Sequence, residues 1–140
     1  MSRLVVDSSV VIKWSVPEVH SADALRYLDP NLGRDAPELL LAEVSNILWK
    51  KVGRGELTRG EAEQIAADVG QADVVIHPMG PLFGPALRIA LETGRSAYDC
   101  SYLALAEALS SRMVTADRRL YNALQGCPYA GLILWVEDGP

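Results

Sequence analysis

Apolar residues in this 140-residue chain gather into short uninterrupted runs, separated by stretches whose apolar positions recur at helical spacing. That alternation leaves few folds open. Runs at 4–6, 74–76, 112–114 and 132–136 have the length of buried strands. Between them, 8–14 reads as a short helix ended by Pro17. Segment 20–28 carries Ala22, Leu25 and Leu28 on one face and is broken by Pro30, Asn31 and Gly33. Pro37 suits the first turn of a helix running through Leu40, Val44, Ile47 and Leu48 to Gly53. Thr58 with Glu61 three residues on forms a capping box for 58–71, whose stripe is Ala62, Ile65, Ala66 and Val69. Helices at 81–93, stopped by Gly94, at 96–109 and at 117–124 complete the series. Short apolar strands joined by helices imply a parallel sheet covered on both faces. No linker, repeat or low-complexity tract interrupts the pattern, so one α/β domain over 1–140 is expected. Ligands of such sheets bind at the carboxyl ends of the strands.

Four acidic residues fall at or near that rim or inside an apolar helix. Asp7 ends the run 4–6, and Asp117 follows Met113 and Val114. Asp99 opens the helix at 96–109, and Glu43 interrupts the nearly apolar stretch 39–49. Each has an ordinary explanation: Asp7 and Asp117 as helix caps, Ser96 with Asp99 as a capping box, Glu43 as the solvated edge of its helix. The set is harder to explain away. Strand ends and helix starts of such a sheet face one side, so three or four carboxylates converge there. Two carboxylates about 4 Å apart repel by roughly 4 kcal/mol at an effective dielectric near 20. A divalent cation relieves that repulsion. An all-oxygen donor set without suitable His or Cys points to Mg²⁺, with Mn²⁺ as a substitute, and Mg²⁺ favours phosphate-bearing substrates. Hydrolysis of a phosphodiester is the chemistry expected.

Around the acids, Ser8 and Ser9 can hydrogen-bond Asp7 or a bound water. Thr115 stands two residues before Asp117, and Asn46 lies one helical turn beyond Glu43. Arg95, Arg118 and Arg119 are candidates for holding substrate phosphates. His20 and His77 lie in unrelated segments and read as surface or packing residues. Trp14, Trp49 and Trp135 read as core or interface rather than base-stacking platforms. Cys100 and Cys127 have no zinc or disulfide spacing and are expected reduced.

A composition of 49% hydrophobic and 22% charged residues is that of an ordinary globular chain, neither disordered nor membrane-embedded. No apolar run approaches the roughly 20 residues that span a bilayer. Asp7 and Lys13 interrupt the early apolar segment, so a secretory signal is not expected and the cytoplasm is. The net charge of -5 does not exclude nucleic acid, because acids that hold cations place negative charge at the centre of a nuclease.

The segments VVDSSVVIKWSVPE (5–18), APELLLAEVSNILWKKVGRGEL (36–57), SAYDCSYLALAEAL (96–109) and MVTADRRL (113–120) resemble, in order, those of the PIN-domain ribonucleases. More narrowly they resemble the VapC-type toxins of prokaryotic toxin–antitoxin pairs. The resemblance implies a three-layer α/β/α fold with a short central parallel sheet. It also implies that Asp7, Glu43, Asp99 and Asp117 bind Mg²⁺, with Asp7 and Asp99 as principal ligands, and that Ser9, Asn46 and Thr115 occupy positions commonly polar. It further implies RNA cleavage, a homodimer, and inhibition by a cognate antitoxin whose tail enters the active-site groove. Some relatives carry another acid shortly after the third. Here Cys100, Ser101, Tyr102 and Leu103 follow Asp99, which weighs against a second tightly held metal.

Three other functions fit less well. A phospho-acceptor receiver domain wants paired acids after the first strand and a lysine after the last, and residues 131–140 hold no lysine. An aspartyl-phosphate phosphatase wants a second Asp where Ser9 stands. A PIN-like interaction module without activity has no need of all four acids.

Overall fold

The computed structural model describes residues 2–140. Strands β1 (Ser2–Val6), β2 (Leu32–Pro37), β3 (Val75–His77), β4 (Met113–Thr115) and β5 (Ile133–Trp135) form one sheet in the order β3-β2-β1-β4-β5. All four pairings are parallel. The helices are α1 (Ser8–Val11), α2 (Ser21–Leu25), α3 (Leu39–Gly53), α4 (Arg59–Gln71), α5 (Phe83–Thr93), α6 (Ala97–Ala108) and α7 (Arg118–Leu124). Short 3₁₀ segments extend α1 and α2 to Trp14 and Leu28, close to the limits expected.

Because strand side chains alternate between faces, the apolar runs split between two cores. Leu4, Val6, Val114 and Leu134 join the side chains of α1 to α4. Val5, Met113 and Ile133 join those of α5, α6 and α7. The result is the expected three-layer α/β/α sandwich. The capping box at Thr58 and Glu61 is present, and Gly94 closes α5 at a φ of 73°, where a side chain would be strained.

The largest departure from expectation is β2, where the sequence suggested a break and then a helix opened by Pro37. Pro37 is instead the last residue of β2, and α3 begins at Leu39. Every residue of β2 is buried although its centre is Arg34–Asp35. Both charges are matched. Arg34 donates to the carbonyl oxygens of Tyr27, Asp29 and Asp73. Asp35 accepts from Arg3 and pairs with His77 at 2.8 Å. Buried charge is tolerated only with such partners, and they lie in other segments, out of reach of any local pattern.

The strand order decides where a ligand binds. From β1 the chain moves outward through β2 and β3, then returns to add β4 and β5 on the other flank. Connections therefore diverge between β1 and β4, and a crevice opens at their carboxyl ends. Receiver domains have the order 2-1-3-4-5, so this sheet excludes that alternative.

Candidate active site

Asp7 stands at the mouth of that crevice. The β1–β4 register pairs Val5 with Met113 and Val6 with Val114, which brings Asp7 level with Thr115. Asp7 is also the N-cap of α1, and its Oδ1 accepts from the backbone N–H of Val10 at 3.1 Å. The Ser9 hydroxyl donates to the same oxygen at 2.6 Å, and the Thr115 hydroxyl donates to Oδ2 at 2.6 Å. Each hydroxyl is fixed in turn by a backbone donor: Ser9 accepts from Ala116 and Thr115 from Asp117. Both protons are thus committed to the carboxylate, and Oδ2 keeps acceptor capacity for a further partner.

Asp7 is buried, at 5% exposure, and no ion pair among the described residues includes it. Burial is the main reason its pKa rises from 3.8 to about 7. Hydrogen bonds from Ser9, Thr115 and Val10 oppose the rise, and the negative charge of Asp99 adds to it. Asp99 lies on α6, capped by Ser96, whose Oγ accepts from the Asp99 N–H. Its pKa is raised too, by burial and then by Asp117, while Arg95, 4.0 Å away, pulls it down. Asp117 caps α7, with Oδ1 accepting from the N–H groups of Arg119 and Leu120. Its Oδ2 makes no such bond. Capping, one of the two readings that the sequence offered for Asp7 and Asp117, is present at both.

Glu43 lies half-buried on α3 and accepts from Tyr102 Oη at 2.6 Å. Tyr102 is the residue that sequence reasoning passed over. It sits on α6 one turn beyond Asp99 and 1% exposed, with Ser8 beside its phenol and Asp7 near enough to act on it. Burial and then the charge of Glu43 hold its pKa well above the ordinary value, so it stays a donor. The signal was available: Asp99 and Tyr102 are three apart on one helix and share a face.

Electrostatic coupling links Asp7 to Asp99, Asp99 to Asp117, and Tyr102 to both Glu43 and Asp7. Asp99 is thus linked to Asp7 directly, Asp117 through Asp99 and Glu43 through Tyr102, but no three of the quartet present oxygens close enough together to wrap an ion directly. The one trio of ligand-capable side chains that does so among the described residues is His20, Asp23 and Glu137. Its carboxylates already face Arg26 and Arg118, and the His20 ring meets Trp135 edge-on. Ion pairing accounts for that group. The crevice, with a buried desolvated carboxylate that has no cationic partner among the described residues and with oxygen donors only, fits a hard cation that keeps several waters.

Among the candidate supports, Ser9 and Thr115 are bonded to Asp7 and Ser8 lies by Tyr102, whereas Asn46 is exposed and no hydrogen bond ties it to Glu43. Arg95 faces Asp99. Arg118 lies 3.7 Å above the Trp135 ring and 3.8 Å from Glu137, while Arg119 is exposed. Trp135 is buried and Trp49 is 70% exposed.

The sequence matches the PIN domain over residues 4–124. It is 32% identical over 120 residues to ribonuclease VapC3 of Pyrobaculum aerophilum, an alignment covering 84% of this chain and 92% of that protein. The crystal structure of PAE2754 from Pyrobaculum aerophilum superposes with a TM-score of 0.70 and 26% identity, covering 97% of this chain and 85% of the other. That of VapBC2 from Rickettsia felis, bound to a DNA fragment from its promoter, shares the fold at a TM-score of 0.64 and 14% identity, covering 95% and 98%. With the strand order, the crevice and a match along most of its length in agreement, the chain belongs to the PIN-domain family.

Proposed function

We propose that the protein is a Mg²⁺-dependent endoribonuclease and the toxin of a VapBC-type toxin–antitoxin pair. The observation that carries this reading is the Asp7 carboxylate: buried, unpaired by any cation among the described residues, and held by two committed hydroxyls at the switch point of a PIN fold. The likeness to a ribonuclease VapC supports RNA as substrate, and the relative solved as VapBC2 supports an antitoxin partner.

Asp7 and Asp99 are the principal ligands in this reading, with Glu43 and Asp117 completing the set. When bound, Mg²⁺ supplies the charge that polarises a phosphodiester and acidifies water. The chain supplies order. Ser9 and Thr115 fix both oxygens of Asp7, Tyr102 holds one oxygen of Glu43, and the α7 cap occupies Oδ1 of Asp117, leaving the other oxygen for a ligand. Arg95 and Arg119 are the candidates in this reading for meeting substrate phosphates. The domain acts as a homodimer in the cytoplasm; no helix among the described residues is long and apolar enough to cross a membrane.

The test is incubation of the purified protein with tRNA, rRNA and mRNA, with and without Mg²⁺, followed by mapping of the ends. Internal cuts that need Mg²⁺ and vanish in Asp7→Asn and Asp99→Asn are expected. Undiminished cutting by either variant rejects the assignment.

A further inference from the structure

One surface of the molecule stands out by charge. In a chain of net charge -5, a pocket of about 350 Å³ is lined by Lys13, Lys50, Lys51 and Arg54 with a single carboxylate, Glu18. Ile12 and Ile47 add apolar wall, and Ser9 forms the edge toward the crevice. Ser9, which lines this pocket, also donates to Asp7 at 2.6 Å, so the pocket adjoins the surroundings of that carboxylate.

The cations fall into two kinds. Lys13 and Lys51, each with 14% side-chain exposure, both reach Glu18, at 3.3 and 2.7 Å. Lys50, in the last turn of α3, and Arg54, which caps that helix four residues on, are exposed and have no carboxylate partner among the described residues. Like charges at that spacing repel, and the helix C-terminus alone does not require several at once. Clustered cations beside a carboxylate crevice favour a chain of phosphates, whose binding releases counterions.

We propose that this pocket is a subsite for the phosphate backbone of single-stranded RNA flanking the scissile bond, with Glu18 holding the place of a phosphate when no RNA is bound. The proposal rests on the nuclease reading for its substrate, but its geometry is separate from the acids. Lys50 and Arg54 draw the strand in, and Lys13 and Lys51, already clustered around an anion, receive the phosphate that displaces Glu18.

The experiment measures binding of a labelled single-stranded oligoribonucleotide by fluorescence anisotropy across a salt series, in an Asp7→Asn background that leaves the probe intact. Lys50→Gln with Arg54→Gln is expected to weaken binding about tenfold at low salt. It should also flatten the plot of log affinity against log salt by about 1.4, that is about 0.7 for each of two contacts. Glu18→Gln is expected to tighten binding, which loss of a merely structural ion pair does not do. Arg59→Gln, whose partner is Glu63 on α4, serves as the control and should leave the slope unchanged. An unchanged slope for the Lys50/Arg54 variant overturns the subsite. So does a loss confined to a poly-glutamate probe, which assigns the pocket to an acidic protein segment. The two readings fail separately: an oligonucleotide slope that responds in a protein cutting no RNA with Mg²⁺ keeps the subsite and removes the nuclease. Mg²⁺-dependent cutting with an unresponsive slope does the reverse.

Discussion

At Asp7 the chain carries a carboxylate that costs stability until something positive reaches it. Its pKa is about 7 when folded and near 3.8 when unfolded. Between those values the folded state binds the extra proton, so stability falls as pH rises and the loss is complete once pH passes about 7. At 1.36 kcal/mol per unit, the full effect is about 4 kcal/mol. In EDTA, therefore, Asp7→Asn should gain on the wild type progressively from pH 4 to 7 in paired denaturant melts and hold that advantage above pH 7. Added Mg²⁺ should raise the melting midpoint of the wild type and leave Asp7→Asn unmoved. A variant that melts below the wild type in EDTA at pH 8 defeats this account. Tyr102 acts one step further out. Tyr102→Phe removes only the hydroxyl that holds Glu43, and cleavage should drop by roughly 10- to 100-fold with a higher Mg²⁺ requirement, as for other residues that orient a ligand. Excess Mg²⁺ should recover part of the rate, and recovery of none of it argues that the hydroxyl serves another purpose.

Secondary structure was legible wherever a segment's own residues decide its state. Strands β1, β3, β4 and β5 and the long helices lie within a residue or two of the apolar runs and caps that announce them. Strand β2 was not, because Arg34 and Asp35 break its apolar run and their partners are Tyr27, Asp29, Asp73, Arg3 and His77. Asp7 and Asp117 were legible as rim residues because strand ends can be counted. Their coupling through Ser9 and Thr115 depends on the β1–β4 register, a long-range pairing that no local pattern carries. The same dependence makes β2 fragile. Arg34→Met keeps the bulk of the side chain but leaves three carbonyl oxygens without their donor, so a loss of about 3 kcal/mol in urea unfolding is expected. A loss below about 1 kcal/mol means that water replaces the guanidinium and that Arg34 does not secure the strand.

On the scale of the whole molecule, the face formed by α5 and the start of α6 is unlike the rest. Phe83, Leu87 and Leu91 repeat every four residues along α5 with exposures of 77%, 48% and 78%, and Tyr98 beside them is 66% exposed. Next to them a pit of about 360 Å³ is lined by Leu39, Met79, Phe83, Ala86, Leu87, Ala97, Tyr98 and Ser101. Projecting aromatic side chains beside an apolar pit suit a two-fold contact, since each copy fills the other's cavity with the same surface. Contiguous apolar exposure of this kind is uncommon in monomers. A second copy of the chain is therefore the occupant expected, in keeping with the homodimer proposed above. Leu87→Glu with Leu91→Glu should halve the mass measured by light scattering. Both residues face outward, so the monomer should keep its helical circular dichroism. Because Tyr98 adjoins Asp99, pairing through this face would bring the two crevices near one another, and the monomeric variant should show altered RNA cleavage along with its altered mass. A dimer that survives both charges locates the contact elsewhere and leaves the α5 face to another partner.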